Sequence, residues 1–150
     1  MSRYKLTTED LASFMLKDPF INRKFGGILA LDQLYKAVFE PKIYIVNTDT
    51  QNGPGQHWFC IYLCDYPEHF DPAGLEPMPY VRTFLTARGS QFMYNSKRVQ
   101  SFSSETCGVF CLFFAFFRCR NYSFRNILSM FSNDLHLNEI IVKQFFESYK

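Results

Sequence analysis

Cys107-Gly108-Val109-Phe110-Cys111-Leu112-Phe113-Phe114-Ala115-Phe116-Phe117 is an unbroken apolar run that Arg118 ends. A helix that is apolar all round is a buried one. The run therefore predicts a central helix over residues 107–119 with the rest of the chain packed around it. Its eleven residues are too few to cross a bilayer, which takes about 20. No membrane association is expected. Ser103 or Ser104 is placed to cap the helix start, with Glu105 in its first turn.

Upstream of this helix the pattern changes period. Residues 92–100 read as a strand or extended segment, and residues 80–87 as a helix with Val81, Phe84 and Leu85 inward. Phe70-Asp71 reads as a short strand that Pro72-Ala73-Gly74 ends. Residues 58–63 are apolar on both faces, as in a central buried strand. Residues 47–56 hold Gly53, Pro54 and Gly55 and no large apolar side chain, so they read as a loop. Residues 43–46 form a short β-branched and aromatic strand.

Nearer the start, Thr7 or Thr8 caps a first helix, with Glu9 and Asp10 at its positive end. Leu11, Phe14 and Met15 share one face of it, and Asp18-Pro19 stops it. Gly26-Gly27 reads as a turn. Asp32 is placed to cap a short helix carrying Leu34, Tyr35 and Val38. Two more helices are expected near residues 123–131 and 138–149. Helices thus flank a small group of strands at both ends. The expected fold is α+β, a small mixed sheet packed against the central helix.

The 150 residues fit one domain spanning 1–150. A chain of this size buries roughly 68–70 % of its unfolded surface. Apolar residues at 47 % and charged residues at 20 % exclude a disordered chain. Eighteen Phe and nine Tyr imply a bulky core. The net charge of +2, from 16 Lys/Arg against 14 Asp/Glu, excludes nucleic-acid binding by bulk charge. Arg118, Arg120 and Arg125 suit the negative end of the central helix, and they leave a local nucleic-acid patch open. Met1-Ser2-Arg3-Tyr4-Lys5 opens the chain without an apolar segment, so no secretory signal is expected. Five cysteines, an odd count, are expected to stay reduced in an intracellular compartment. Cys60 and Cys64 are four apart, as are Cys107 and Cys111, a spacing that raises zinc. The first pair lies among aromatics, so no metal and no other cofactor is expected. Cys111 and Cys119 read as core thiols.

Four polar residues fall at element boundaries. His57 joins a Gly-rich loop to a buried strand, and Asp71 ends the next strand. Cys107 starts the most buried helix, and Gln100 lies seven residues before it. A thiolate rather than a thiol attacks a carbonyl, and a helix N-terminus and an imidazolium both favour the ionised form. His57 is the candidate base, Asp71 the group that orients it, and Cys107 the nucleophile. The Cys107 N–H and the Gln100 amide are candidate oxyanion donors. His69, two residues before Asp71 on the same strand face, is a rival base. His57 is preferred because it borders the loop, where a groove forms.

Taken together these residues resemble a known family. Gln56-His57-Trp58, then Phe70-Asp71-Pro72-Ala73-Gly74, then Gln100 followed by Cys107-Gly108-Val109-Phe110-Cys111 is similar to the adenovirus endopeptidase (adenain) family. That family belongs to a clan of cysteine peptidases that includes the SUMO-deconjugating enzymes. Phe25-Gly26-Gly27, Val46-Asn47-Thr48 and residues 124–149 extend the resemblance more loosely. The resemblance implies His57 as general base, Asp71 as its partner, Cys107 as nucleophile and Gln100 as oxyanion donor. It implies an endopeptidase that cleaves viral or virus-like structural precursor proteins at small-residue, Gly-containing sites during particle maturation. The expected location is then the host nucleus or cytoplasm and the virion. Adenain takes a disulfide-linked peptide activator and is assisted by DNA. The matching cysteine should lie between Asp71 and Gln100, and none does, so a disulfide-linked activator is not expected here. The alternatives are a deconjugating peptidase for ubiquitin-like Gly-Gly tails and an inactive peptidase-like binding module.

Overall fold

The apolar run forms helix α4, Cys107–Arg118, and every residue from Cys107 to Phe116 in it is buried. A computed structural model describes residues 3–38, 40–49, 57–87 and 91–149 of the chain. Most of the loop expected over 47–56, including Gln56 of the His-Trp motif, lies outside the described residues. The start of α4 differs from expectation. Its N-cap is Thr106, with no side-chain cap bond. The Thr106 hydroxyl donates instead to the carboxylate of Glu139, at 2.9 Å. Glu105 precedes the helix and pairs with Lys5 at 3.3 Å.

Helix α1, Thr8–Lys17, begins with a reciprocal cap. Thr7 Oγ1 accepts from Asp10 N at 3.1 Å, and Asp10 Oδ2 accepts from Thr7 N at 2.9 Å. Leu11 and Met15 are its buried face. Asp18 ends α1 and caps the short α2, Pro19–Asn22, by accepting from Phe20 N and Ile21 N. A 3₁₀ helix follows at Leu31–Lys36. Here the Gln33 side chain, not Asp32, serves the entry by accepting from Ala30 N at 3.0 Å. Leu34 is buried, whereas Tyr35 and Val38 are exposed.

Five strands make one mixed sheet in the order β1-β2-β3-β4-β5. They are β1 Phe25–Leu29, β2 Ile43–Asn47, β3 Trp58–Tyr62, β4 Glu68–Phe70 and β5 Met93–Tyr94. The outer pairs β1·β2 and β4·β5 are parallel, and the inner pairs β2·β3 and β3·β4 are antiparallel. Gly26-Gly27, expected as a turn, lies inside β1. The register shifts between Phe25 and Gly27, and Gly27 has φ +147°, a bulge that glycine adopts without strain. A Cβ on Gly26 would sit 2.3 Å from the Tyr44 ring. Both glycines therefore serve the sheet. The extended segment expected over 92–100 pairs only at Met93–Tyr94.

Period-2 alternation sends β3 side chains to two faces, and both are covered. Ile43, Ile45, Cys60, Tyr62 and Phe70 pack with α4. Tyr44, Val46, Phe59, Ile61 and Leu63 pack with Leu34, Val81 and Leu85 on the other side. Val81 and Leu85 come from α3, Pro79–Leu85. Helices α5, Phe124–Leu128, and α6, Leu135–Tyr149, close the far side of α4. Phe70 stacks on Phe114 at 4.9 Å between centroids, and Phe113 meets Phe145 edge-on at 5.3 Å. Arg118 reaches both oxygens of the buried Glu68 at 2.8 and 2.9 Å. Arg120 pairs with Asp18 at 2.7 Å and lies 3.5 Å over the Phe116 ring. Two of the three arginines beyond α4 are thus engaged within the fold. Among the described residues no helix is long and apolar enough to cross a membrane.

Candidate active site

His57 stands one residue before β3. Its carbonyl accepts from Thr48 N at 2.8 Å, which pins it to the end of β2. Asp71 stands one residue after β4. Because β3 and β4 pair in antiparallel register, with Cys60 opposite Phe70, His57 and Asp71 meet at the same sheet edge. His57 Nε2 lies 2.6 Å from Asp71 Oδ1.

The turn after β4 fixes the carboxylate. Asp71 Oδ1 also accepts from Ala73 N at 2.8 Å, and Asp71 O accepts from Gly74 N at 2.8 Å. Gly74 has φ +72°, and a Cβ there would come within 2.5 Å of Arg98 N. Only glycine fits that close approach. From the far side Asn95, itself buried, grips the Asp71 backbone. Its Oδ1 accepts from Asp71 N at 2.9 Å and its Nδ2 donates to Asp71 O at 2.6 Å.

Cys107 is the first residue of α4, and its Sγ accepts from Trp58 N at 3.4 Å. The sulfur and the imidazole therefore flank consecutive residues of the same strand. Burial disfavours the His57 imidazolium, but hydrogen bonds to Asp71 and Cys107 and the negative charge of both outweigh it, so its pKa is raised to about 9. The other thiols differ. Burial pushes Cys60 and Cys111 well above the ordinary cysteine range and Cys119 up to about 11. Burial and the nearby Glu68 raise Cys64 as well.

His69 faces the same side as Asp71 but has no comparable partner. It is buried, its ring lies 4.8 Å from that of Phe59, and its Nδ1 makes no hydrogen bond. Burial lowers its pKa to about 4, so it is neutral at pH 7. His57 rather than His69 carries the carboxylate contact. Both histidines, with Thr48, Phe59, Asp71, Ala73, Leu75 and Met78, line a cleft of about 390 Å³.

Gln100 is buried between the acid turn and α4. Its backbone N donates to Pro72 O at 3.0 Å. Its side-chain Nε2 donates to Ser104 O and Ser104 Oγ, each at 3.1 Å, and its Oε1 has no partner. The amide expected to face an oxyanion is thus held on Ser104. Three polar residues near this corner escape a reading of the sequence: Asn95, Asn138 and Glu139 are buried and act on partners far along the chain. A buried polar side chain has no local pattern, and no signal in the sequence marks them.

The corner combines a thiol at a helix N-terminus, an imidazole beside it and a carboxylate on the imidazole's other nitrogen. That arrangement can perform nucleophilic attack with proton transfer. No protein-family model matches the sequence, and no curated protein matches it. Two crystal structures of the ASFV pS273R protease are similar in fold. One superposes with a TM-score of 0.60 at 17 % identity, covering 94 % of this chain and 68 % of that one. The other, of selenomethionine protein, has a TM-score of 0.43 at 23 % identity and covers 67 % of this chain and 43 % of that one. The chain therefore spans between 43 % and 68 % of the protease lengths it aligns with.

Proposed function

We propose that the chain is a cysteine endopeptidase. The observation that carries this is the 2.6 Å contact of His57 with Asp71 at the corner where Cys107 Sγ meets the strand carrying His57. Cys107 attacks the scissile carbonyl carbon as the thiolate. His57 gives its proton to the leaving amine, and a thioester forms. His57 then takes a proton from water, which attacks the thioester and releases the acid. Asp71 orients the ring and stabilises the imidazolium. The Cys107 N–H and the Gln100 amide receive the oxyanion. Ser104 O and Oγ lie at equal distance from Gln100 Nε2, so one N–H serves both and the second is left for substrate.

The fold shared with a protease supports this reading. So does the resemblance of the His57, Asp71, Gln100 and Cys107 motifs to adenain. On the same grounds the substrates are structural precursor proteins of a virus or virus-like element, cut at Gly-containing sites during particle maturation. The work is done in the host nucleus or cytoplasm and in the virion. Nucleic acid remains open as an activator.

Selective alkylation tests the reading. Iodoacetamide at neutral pH and low dose is expected to label Cys107 before the other four cysteines, because their thiols are buried or raised. Cys64, half-buried, is the nearest competitor. Peptide mapping that finds Cys64 labelled first would remove Cys107 from its role.

The pH profile gives a second expectation. The His57 proton must reach the leaving amine, so kcat/KM is expected to fall as pH rises through about 9. Asp71 is what favours that proton, through its hydrogen bond and its charge. Asp71→Asn keeps an oxygen for the ring but loses the charge, so the alkaline limb is expected to move to lower pH. A limb that stays in place in the variant would mean that another group sets it.

A further inference from the structure

The stretch from Gln100 to Thr106 carries one oxyanion donor and leads directly to the other, yet it has no regular secondary structure. Its position is set by hydrogen bonds from both sides. On the acid side, Pro72 O accepts from Val99 N at 2.9 Å and from Gln100 N at 3.0 Å. On the other side, two consecutive residues of α6 hold the peptide units that flank Gln100. Asn138 Nδ2 donates to Val99 O at 3.1 Å, and Glu139 Oε2 accepts from Ser101 N at 2.9 Å.

Glu139 does more than hold the backbone. Its carboxylate is 4 % exposed. It accepts from Ser104 Oγ at 3.0 Å and from Thr106 Oγ1 at 2.9 and 3.0 Å. Burying a carboxylate is costly, and simple packing would not need one. A carboxylate accepts only, so it dictates where the hydroxyl hydrogens point. With its hydrogen on Glu139, Ser104 Oγ offers a lone pair to Gln100 Nε2. The amide is thereby kept with its nitrogen toward Ser104 and the start of α4. A donor at position 139 would free the Ser104 hydrogen for Gln100 Oε1, which has no partner now, and the amide would turn over.

We propose that Glu139 is a positioning residue for the oxyanion site, acting on Gln100 through Ser104 and on the N-terminus of α4 through Thr106. This rests on the cysteine peptidase reading. The test is a cycle in the full chain of Glu139→Gln, Ser104→Ala, Gln100→Ala and the double variant Glu139→Gln/Gln100→Ala. Four quantities are read: kcat and KM on a Gly-containing peptide, the affinity for an acetyl-Gly-Gly aldehyde, the iodoacetamide rate at Cys107, and Tm. The aldehyde carbon bonds to Sγ and its oxygen takes the thiol proton, in the place where an oxyanion develops. Alkylation develops no oxyanion.

Losing one oxyanion donor costs about 10²–10³ in kcat. Glu139→Gln and Ser104→Ala are each expected to lower kcat and aldehyde affinity together by about 10-fold or more, with KM and alkylation rate little changed. In the Gln100→Ala background Glu139→Gln is expected to cost much less, because the group it positions is gone. Equal cost in both backgrounds overturns the proposal. So does a loss of kcat, alkylation rate and Tm in step, the mark of a structural tie alone. If wild-type Cys107 is neither selectively alkylated nor able to cut peptide, the peptidase reading falls and the proposal with it. An active wild type with a silent Glu139→Gln overturns the proposal alone.

Discussion

Cys107→Ala is expected to abolish peptide hydrolysis, and Cys107→Ser to abolish it equally while melting at a higher temperature. The sulfur is the only nucleophile in the mechanism. Its removal leaves oxyanion donors and binding groups, which together retain little of the rate. Losses of at least about 10³-fold follow when a nucleophile of this kind is deleted. The two variants differ in what they do to the fold. Cys107 Sγ accepts the Trp58 N–H at 3.4 Å. Alanine leaves that buried donor unpaired, a cost of about 1–3 kcal/mol, whereas a serine hydroxyl still accepts it. A serine beside His57 at a helix N-terminus remains a far weaker nucleophile than a thiolate. Turnover assays and thermal melts on both variants check the pair of expectations. Activity retained by either variant ends the assignment of Cys107. Equal melting temperatures with no activity would show that the Trp58 contact carries no weight.

The elements that local chemistry specifies were legible in the sequence. The Thr7 cap, the Asp18-Pro19 stop, the apolar β3 and the all-apolar α4 each rest on neighbours within a few residues. His57, Asp71 and Cys107 could be placed because each sits where such an element begins or ends. Misreadings occurred where a distant partner decides. Gly26-Gly27 has the local chemistry of a turn, but Ile43 and Tyr44 pair with that stretch and draw it into the sheet as a bulged strand. Ser104 and Thr106 have the local chemistry of caps, but a carboxylate more than 30 residues away takes their hydroxyls. A charged acceptor makes the stronger bond. Asn95 and Glu139 illustrate the same limit for the site. Each is an ordinary polar residue until the fold buries it against Asp71 or against the segment before Cys107.

Asn95 yields the other large effect. It is 2 % exposed, and its side chain grips the Asp71 peptide from both ends, at 2.9 Å to the N–H and 2.6 Å to the carbonyl. The carbonyl has a second donor in Gly74 N, but Asn95 supplies the acceptor for the Asp71 N–H. Asn95→Ala leaves that N–H buried and unpaired, which is expected to cost about 1–3 kcal/mol before any packing loss. The Asp71 carboxylate moves with its backbone, so His57 loses its short contact and turnover falls. Asn95→Asp separates shape from hydrogen bonding, because the two side chains have the same size. The new carboxylate still accepts from Asp71 N, but it sets a second acceptor against Asp71 O and against Lys97 O, now 2.6 and 3.2 Å from a donor. Its ionised form is disfavoured in the fold, so its folded pKa lies above the ordinary aspartate value of about 3.9. The penalty is therefore absent below that value and grows as pH rises above it. Asn95→Asp is expected to melt well below wild type at pH 7 and to close much of the gap near pH 4. Its kcat at pH 7 is expected to be no better than that of Asn95→Ala. A melting gap that does not change with pH, or wild-type turnover in either variant, would show that Asn95 does not hold Asp71 in place.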